Sequence, residues 1–200
     1  MKKIFPILMM CVLTVPALAN EYGYDSTPKR DNYVGIRIHK NENIAFGIEP
    51  GVGDGWTLRE DSFGFGAMVG NRLTDHIKIE FETEYTYAKQ SGYNFNVWAN
   101  MLNVYLYQQF GGAVEPFVGL GVGVSGLWGD ADNGMDDATA DMSWGAMAGV
   151  NFALNERVDL SLGVKYQNYG DLNLQGNGNS ASVEVDGTEL YISAAYKFGL

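Results

Sequence analysis

The chain has 200 residues, a length that suits a single domain. Its formal net charge is -11 at pH 7. Because nucleic-acid binding requires concentrated positive charge, we expect no nucleic-acid partner, and peripheral docking on anionic headgroups is equally unfavourable.

The N-terminal segment is predicted to be a cleavable signal peptide. Lys2 and Lys3 precede an apolar run over residues 4–18, and the Ala-Leu-Ala sequence that ends at Ala19 supplies the small residues of a cleavage site. Cleavage after Ala19 would remove Cys11, the only cysteine, and with it any disulfide or thiol nucleophile. A membrane anchor helix is the alternative, but two prolines interrupt a run shorter than the ~20 residues of a span.

Beyond residue 19 the apolar residues recur with period two, which indicates β-strands, and no run approaches the length of a membrane helix. Eight segments alternate in this way, and we predict one strand from each. The segments are 34–39, 63–70, 77–87, 101–107, 118–125, 144–152, 158–167 and 190–200.

The second face of these segments favours a membrane barrel over a soluble sandwich. A sandwich also alternates, with its apolar face turned inward. Here the other face is rich in glycine in the second, fifth and sixth segments and carries Glu80, Glu82 and Glu84 in the third. Glycines and polar side chains suit the lumen of a narrow barrel, which leaves the apolar face for lipid.

The connections between the segments are predicted to alternate in length. Those after the second, fourth and sixth segments are short, and those after the first, third, fifth and seventh are mostly longer. Short periplasmic turns and long outer loops are typical of outer-membrane barrels, so we expect both termini in the periplasm. The short connections are 71–76, 108–115 and 154–157, and the longer ones are 40–62, 88–97, 126–142 and 170–187.

The predicted third loop is acidic, and the fourth is rich in glycine and asparagine. Neither can bury enough apolar area to fix one conformation, so we expect mobile surface. An acidic stretch that includes Asp130 and Asp132 weakly resembles a calcium loop, but it lacks the closing glutamate, which favours a solvated loop. The acidic residues of the third loop are Asp130, Asp132, Asp136, Asp137 and Asp141.

Three stretches resemble a known family. The sequence Glu115-Pro-Phe-Val-Gly-Leu-Gly-Val-Gly-Val124 resembles the fifth strand of opacity-type, porin-family outer-membrane barrels, to which the OmpA membrane domain and OmpX are related in architecture. Residues 145–169 are similar to the sixth and seventh strands of that family, and Tyr196-Lys197-Phe198 resembles its closing strand. The resemblance implies an all-β, eight-stranded antiparallel up-and-down transmembrane barrel, whose last strand is recognised by the barrel-insertion machinery. That machinery usually prefers a terminal aromatic residue, whereas this chain ends Phe198-Gly199-Leu200.

The charged residues of inward parity form the candidate site, a lumenal charge network. Paired carboxylates can perform acid–base catalysis. A structural network is the stronger interpretation, because charges inside a filled eight-stranded barrel are costly unless they pair. The network is predicted from Arg37, Lys78, Glu80, Glu82, Glu84, Lys165 and Lys197.

Histidine chemistry is predicted to be absent. Lipid A deacylases of this size use a histidine and a serine two residues apart, but His39 has no serine in reach and His76 falls in a short turn. We expect no enzyme, cofactor or metal. Aromatic residues near the predicted strand ends favour two interfacial girdles over scattered positions. They are Trp98, Tyr107, Phe110, Phe117, Trp128, Trp144 and Tyr166.

The sequence predicts a signal peptide over 1–19, a periplasmic N-terminal segment over 20–32 and a bacterial outer-membrane barrel over 33–200. The expected function is a non-enzymatic surface protein that displays acidic loops, as an antigen, an adhesin or a structural part of the envelope. Expected partners are outer-membrane lipid and lipopolysaccharide, the insertion machinery, and a host or envelope surface component. A narrow porin for small solutes, a lipid A-modifying enzyme and a soluble lipocalin-type barrel remain alternatives.

Overall fold

The structure is a computed structural model, and it describes residues 32–48, 57–90, 93–108, 114–131, 136–176 and 179–198. The predicted signal peptide with its cleavage after Ala19 lies outside the described residues, as do Phe110 and Asp132. Within the described ranges, no helix is long and apolar enough to cross a membrane.

Eight strands form one closed barrel, in which each strand pairs antiparallel with its neighbours in the chain and the last pairs with the first. This confirms the eight-stranded antiparallel architecture predicted from the alternation. The closing pair aligns Asn32 with Phe198 and Arg37 with Ser193. The strands are β1 (Asn32–Ile48), β2 (Thr57–Arg72), β3 (Ile77–Gln90), β4 (Tyr93–Tyr107), β5 (Val114–Ala131), β6 (Asp136–Ala153), β7 (Val158–Gly176) and β8 (Asn179–Phe198).

We call the end where β1 begins and β8 ends the terminal end, and the opposite end the distal end. The short turns at the terminal end are fixed by local hydrogen bonds in which polar side chains accept from backbone N–H groups. In one turn, Thr74 Oγ1 accepts from the backbone N–H of Ile77 at 3.0 Å. In another, Asn155 Oδ1 accepts from the N–H groups of Arg157 and Val158 at 2.8 and 2.9 Å.

The strands extend further towards the distal end than the sequence predicted. Most residues of the predicted long loops lie in paired strands, so the prediction of long loops was wrong there. β5 continues to Ala131 and β6 begins at Asp136, so most of the predicted third loop is a paired hairpin. Asp130 pairs with Asp136 in its ladder. A ladder is held by backbone hydrogen bonds, which do not require apolar alternation, so the side-chain pattern underestimated its length.

One irregularity in β7 needs a glycine. The register with β8 shifts between Asn168 and Gly170, and Gly170 has a φ of 93°, in the left-handed region that glycine adopts without strain. The Asn168 side chain accepts a hydrogen bond from the Gly170 N–H at 3.0 Å. Tyr169 is the extra residue of this bulge, which lets the adjacent Tyr169 and Gly170 both be buried, and 0% of Tyr169 is exposed.

The two faces of the wall differ as a membrane barrel requires. Large apolar side chains such as Ile36, Leu120 and Leu162 are 57–68% exposed on the outside. Inward positions hold polar and aromatic side chains, opposite glycines that leave room for them. A Cβ on Gly119 would lie 2.7 Å from Cδ1 of the inward Tyr105.

Replacing an inward glycine should therefore destabilise the barrel. A Cβ on Gly149 would meet the backbone oxygen of Leu162 and lie 2.7 Å from Phe117 Cζ and 2.8 Å from Gly163 Cα. We expect Gly149→Ala to lower the free energy of unfolding by about 1–3 kcal/mol, because backbone atoms of the next strand cannot move aside. Guanidinium unfolding in detergent, followed by tryptophan fluorescence, measures the change.

Gly126→Ala is the matched control for this substitution. A Cβ on Gly126 would lie 3.2 Å from the far end of the Trp128 ring, and this ring can shift. Equal losses of stability in the two variants would contradict the steric explanation.

Candidate functional site

The predicted charge-network residues all lie on inward positions of four strands. Six of them are buried, with 0–6% of each residue exposed: Arg37, Lys78, Glu80, Glu82, Glu84 and Lys165. The seventh, Lys197, has 18% of its side chain exposed near the terminal end. Because the barrel closes, residues far apart in the chain face each other across the lumen.

The centre of the lumen is organised around one guanidinium group. Arg37 Nη1 donates to Glu82 Oε2 at 2.5 Å, and Nη2 donates to Glu80 Oε1 at 3.1 Å. Neutral side chains donate further hydrogen bonds to the same carboxylates. Tyr105 Oη donates to Glu80 Oε1 at 2.7 Å, and Asn103 Nδ2 donates to Glu82 Oε2 at 3.1 Å. A buried charge that is both paired and hydrogen-bonded escapes most of its desolvation penalty.

The distal part of the lumen contains a second ionic group. Lys165 Nζ lies 2.5 Å from Glu84 Oε2 and 3.1 Å from Glu189 Oε2. Tyr169 Oη donates to the other oxygen of Glu189. His39 Nδ1 lies 3.9 Å from Glu189 Oε2, which places an imidazole beside the ion pairs.

The two remaining lysines differ from each other. Lys78 Nζ donates to Tyr107 Oη at 3.1 Å and lies 4.8 Å from the centre of the Tyr33 ring, so aromatic groups hold this ammonium. Lys197 Nζ instead donates to Asp159 Oδ1 at 2.9 Å. The lysines therefore do not all pair with the three glutamates of β3.

The sequence analysis missed four ionic groups of the lumen and its terminal rim: Arg72, Glu115, Asp159 and Glu189. Glu189 has the same parity as Lys197, but it stands one residue before the predicted eighth segment. Arg72 and Glu115 fell in predicted turns, yet they form a bidentate pair with distances of 3.1 and 2.6 Å. Strand parity extended by up to three residues at the segment ends would have found Arg72, Glu115 and Glu189. Asp159 already lies at an inward position within the seventh segment.

The ionic groups do not cancel completely. The inward groups named above comprise six acids and five permanent bases, and the half-buried Asp141 also lies on the inward side of β6 opposite Ser125, so acids are in excess before His39 is considered. The acids are Glu80, Glu82, Glu84, Glu115, Asp159 and Glu189, and the bases are Arg37, Arg72, Lys78, Lys165 and Lys197. In the distal part of the lumen, Glu84 and Glu189 share Lys165. In the centre, Glu80 and Glu82 share Arg37 in the same way.

Side chains fill much of the lumen. A void of about 10 Å³ remains among residues that include Tyr33, Lys78 and Tyr191, which is the volume one water molecule needs. A T-shaped contact between Tyr105 and Phe117, with ring centres 5.5 Å apart, closes the neighbouring space. The arrangement suits a rigid, ion-paired core.

The aromatic residues divide between the two faces, so the predicted girdles were wrong at two positions. Tyr107 and Phe117 are 7% and 5% exposed and pack inside the barrel. Trp98, Trp144 and Tyr166 are 37–50% exposed on the outside. Strand parity had already placed Tyr107 on the inward face, and proximity to a strand end was the weaker signal.

The two histidines lie in different environments, His39 inside the barrel and His76 in a turn. His39 is 1% exposed inside the barrel, where its Nε2 lies 2.9 Å from Thr86 Oγ1. His76 is exposed in the turn before β3, with Nδ1 3.1 Å from the backbone oxygen of Tyr107. Neither position resembles a hydrolytic site on the lipid-facing rim.

Comparison with known proteins gives one family and several related folds. A family model described as "Outer membrane protein beta-barrel domain" matches residues 5–198. No curated protein matches the chain.

Solved structures share the barrel at low sequence identity. Neisserial surface protein A is 19% identical with a TM-score of 0.60, and the match covers 84% of this chain and 97% of that one. OprG from Pseudomonas aeruginosa is 16% identical with a TM-score of 0.65 and coverages of 86% and 98%. Ail, the attachment invasion locus protein of Yersinia pestis, solved with the heparin analogue sucrose octasulfate, is 14% identical with a TM-score of 0.50 and coverages of 85% and 99%.

Removing the central guanidinium should be among the most damaging substitutions in the barrel. Arg37→Met leaves Glu80 and Glu82 buried without their cation, and we expect a loss of about 3–5 kcal/mol in the free energy of unfolding. Adding Glu82→Gln to Arg37→Met should recover part of that loss, because it removes one uncompensated charge. Unfolding of the unsubstituted chain and the two variants by guanidinium chloride in detergent measures both effects.

Lys197→Met is the control, because this ammonium is partly exposed and pairs with Asp159 alone. We expect a smaller loss, about 1–2 kcal/mol. If Arg37→Met were no more damaging than Lys197→Met, the central group would not be the main support of the lumen.

Proposed function

The chain belongs to the outer-membrane β-barrel family, and on that basis we propose that it is a non-enzymatic surface protein whose ion-paired barrel displays acidic distal hairpins. The barrel lies in the bacterial outer membrane, in contact with its lipid. The observation that carries the proposal is the ion-paired lumen. Arg37 and Lys165 hold four buried glutamates between them, which suits a rigid support for external segments.

The charge of the distal end supports a surface role with a basic partner. Asp141, Asp171, Glu184 and Asp186 lie at this end on neighbouring strands, and Asp141 Oδ2 accepts from the Asp171 N–H at 2.9 Å. The sequence adds the acids of the predicted third loop, several of which lie outside the described side chains. Complementarity favours a basic protein surface, or lipopolysaccharide phosphates bridged by cations.

Two of the related structures carry surface roles in their names. One is a neisserial surface protein and another an attachment invasion locus protein that was solved with a polyanionic heparin analogue. The net charge of -11 makes a polyanion an unfavourable ligand for this chain. We therefore transfer the adhesin-like role and not that ligand.

Membrane orientation is part of the proposal. Cleavage after Ala19 would leave residues 20–31 as a periplasmic segment before β1, with both termini and the short turns in the periplasm. The C-terminal strand, with Lys197 and Phe198, would present the chain to the insertion machinery. A porin role and lipid A modification are less well supported, because side chains fill much of the described part of the lumen and enclose His39.

Impermeant labelling of intact cells tests this display. Asp171 is exposed at the distal end, and Glu156 is exposed in a terminal turn. We expect Asp171→Cys to react with a membrane-impermeant maleimide on intact cells, because the distal end would lie outside the cell. Glu156→Cys should react only after the outer membrane is permeabilised.

The unsubstituted chain serves as the control, since the proposed cleavage removes Cys11. Labelling of Glu156→Cys but not Asp171→Cys on intact cells would reverse the orientation. Equal labelling of both variants only after permeabilisation would remove the barrel from the cell surface.

Planar-bilayer recordings distinguish the surface role from the porin role. We expect no steady single-channel conductance from the purified barrel, because ion-paired side chains and aromatic rings fill the lumen. Arg37→Ser, which shortens a central side chain, is the comparison variant. Stable channels from the unsubstituted protein would favour the porin alternative.

A further inference from the structure

The distal lumen brings together three side chains with the chemistry of metal ligands. His39 comes from β1, Glu84 from β3 and Glu189 from β8, and each is 0–2% exposed. One possible ligand atom from each residue lies within 4.8 Å of the others. Arg37 donates no hydrogen bond to any of these three residues, so the cluster is separate from the central group.

Each of these side chains has one atom already held by an outer contact. His39 Nε2 lies 2.9 Å from Thr86 Oγ1, Tyr169 Oη donates to Glu189 Oε1, and Lys165 Nζ donates to Glu84 Oε2 at 2.5 Å. Metal-binding histidines and carboxylates characteristically have such partners on their second atoms, because these fix the tautomer and the orientation.

The opposite atom of each side chain is buried without a hydrogen bond. These atoms are His39 Nδ1, Glu84 Oε1 and Glu189 Oε2. His39 Nδ1 and Glu189 Oε2 lie 3.9 Å apart, close enough for one ion to bind both after a small adjustment. Buried polar atoms without partners are costly, and a cation would satisfy His39 Nδ1 and Glu84 Oε1. At Glu189 Oε2 it would add to the charge of the Lys165 ammonium, which lies 3.1 Å away.

From this geometry we propose that His39, Glu84 and Glu189 form a binding site for one divalent transition-metal ion of the Zn²⁺ class. One imidazole nitrogen with two carboxylate oxygens suits Zn²⁺ better than Ca²⁺ or Mg²⁺, which require more oxygen ligands. Glu84 and Glu189 share a single permanent cation, Lys165, so a bound metal ion would balance the second carboxylate.

Lys165 is the competitor of the metal. Its ammonium lies 2.5 Å from Glu84 Oε2 and 3.1 Å from Glu189 Oε2, so it supplies positive charge to the same carboxylates. A metal ion has to bind beside this charge or displace it. Removing the ammonium should therefore strengthen metal binding, whereas a purely structural ion-pair cluster would only lose stability.

The experiment measures zinc in barrel protein that is purified without a histidine tag. The protein is refolded in detergent with ZnCl₂, washed with a chelator and analysed by mass spectrometry for zinc per chain. We expect about one zinc per chain, at least about tenfold weaker binding in His39→Gln, and at least about tenfold tighter binding in Lys165→Met. The visible spectrum of Co²⁺ in the same site reports the ligand geometry independently.

His76→Gln is the matched control, because it removes the other histidine from an exposed turn and should leave the bound zinc unchanged. Glu189→Gln keeps the side-chain shape and serves as a second ligand variant. Heat-dependent gel mobility confirms that each variant is folded before it is analysed. Zinc that persists in His39→Gln and Glu189→Gln, zinc that is lost in His76→Gln, or absence of zinc from both the unsubstituted chain and Lys165→Met would each overturn the proposal.

Discussion

The width of an eight-stranded barrel is the constraint on which the rest of this structure depends. Eight strands enclose an interior just wide enough for side chains, so every inward residue meets others across the lumen. Glycines appear on this face where a large group needs the space. A Cβ on Gly70 would collide with the Tyr33 ring, and one on Gly121 with the Asn103 amide. Outside the wall no such limit applies, and apolar side chains of any size are exposed.

The same constraint determines how the lumen accommodates charge. Inward polar residues follow from the alternation, and in a closed barrel they have little water with which to interact. Arg37 reaches Glu82 across 45 residues of sequence, and Lys165 reaches Glu84 across 81. Such contacts tie strands β1 and β7 to β3 through the interior, in addition to the backbone ladder. Tyrosines contribute neutral donors, so a carboxylate is satisfied without a further charge.

Strand parity in the sequence was sufficient for the fold and for the inward orientation of Arg37, Lys165 and the β3 glutamates. It could not assign partners, because these depend on which strands meet across the lumen. The contact of Lys78 with tyrosines and the ion pair between Lys165 and Glu189 were therefore not predictable from parity.

The length of the distal strands was also inaccessible from side-chain patterns. Gly129 pairs with Asp137 in the β5–β6 ladder, although neither residue type signals a strand. Tyr107 shows the reverse case, since its inward parity in the fourth segment was correct and the expectation of a membrane girdle was wrong. Parity was reliable wherever a side chain faces the narrow lumen.

The division between a constrained lumen and an unconstrained exterior also explains the related structures. OprG and the neisserial surface protein share this barrel at 16% and 19% identity. What the wall requires is a pattern of small, polar and apolar positions, and many sequences satisfy it. The inward ion pairs can differ from protein to protein provided that each charge finds a partner. A change in the distal hairpins leaves those inward contacts in place, so the surface chemistry of such a barrel can change while its core remains the same.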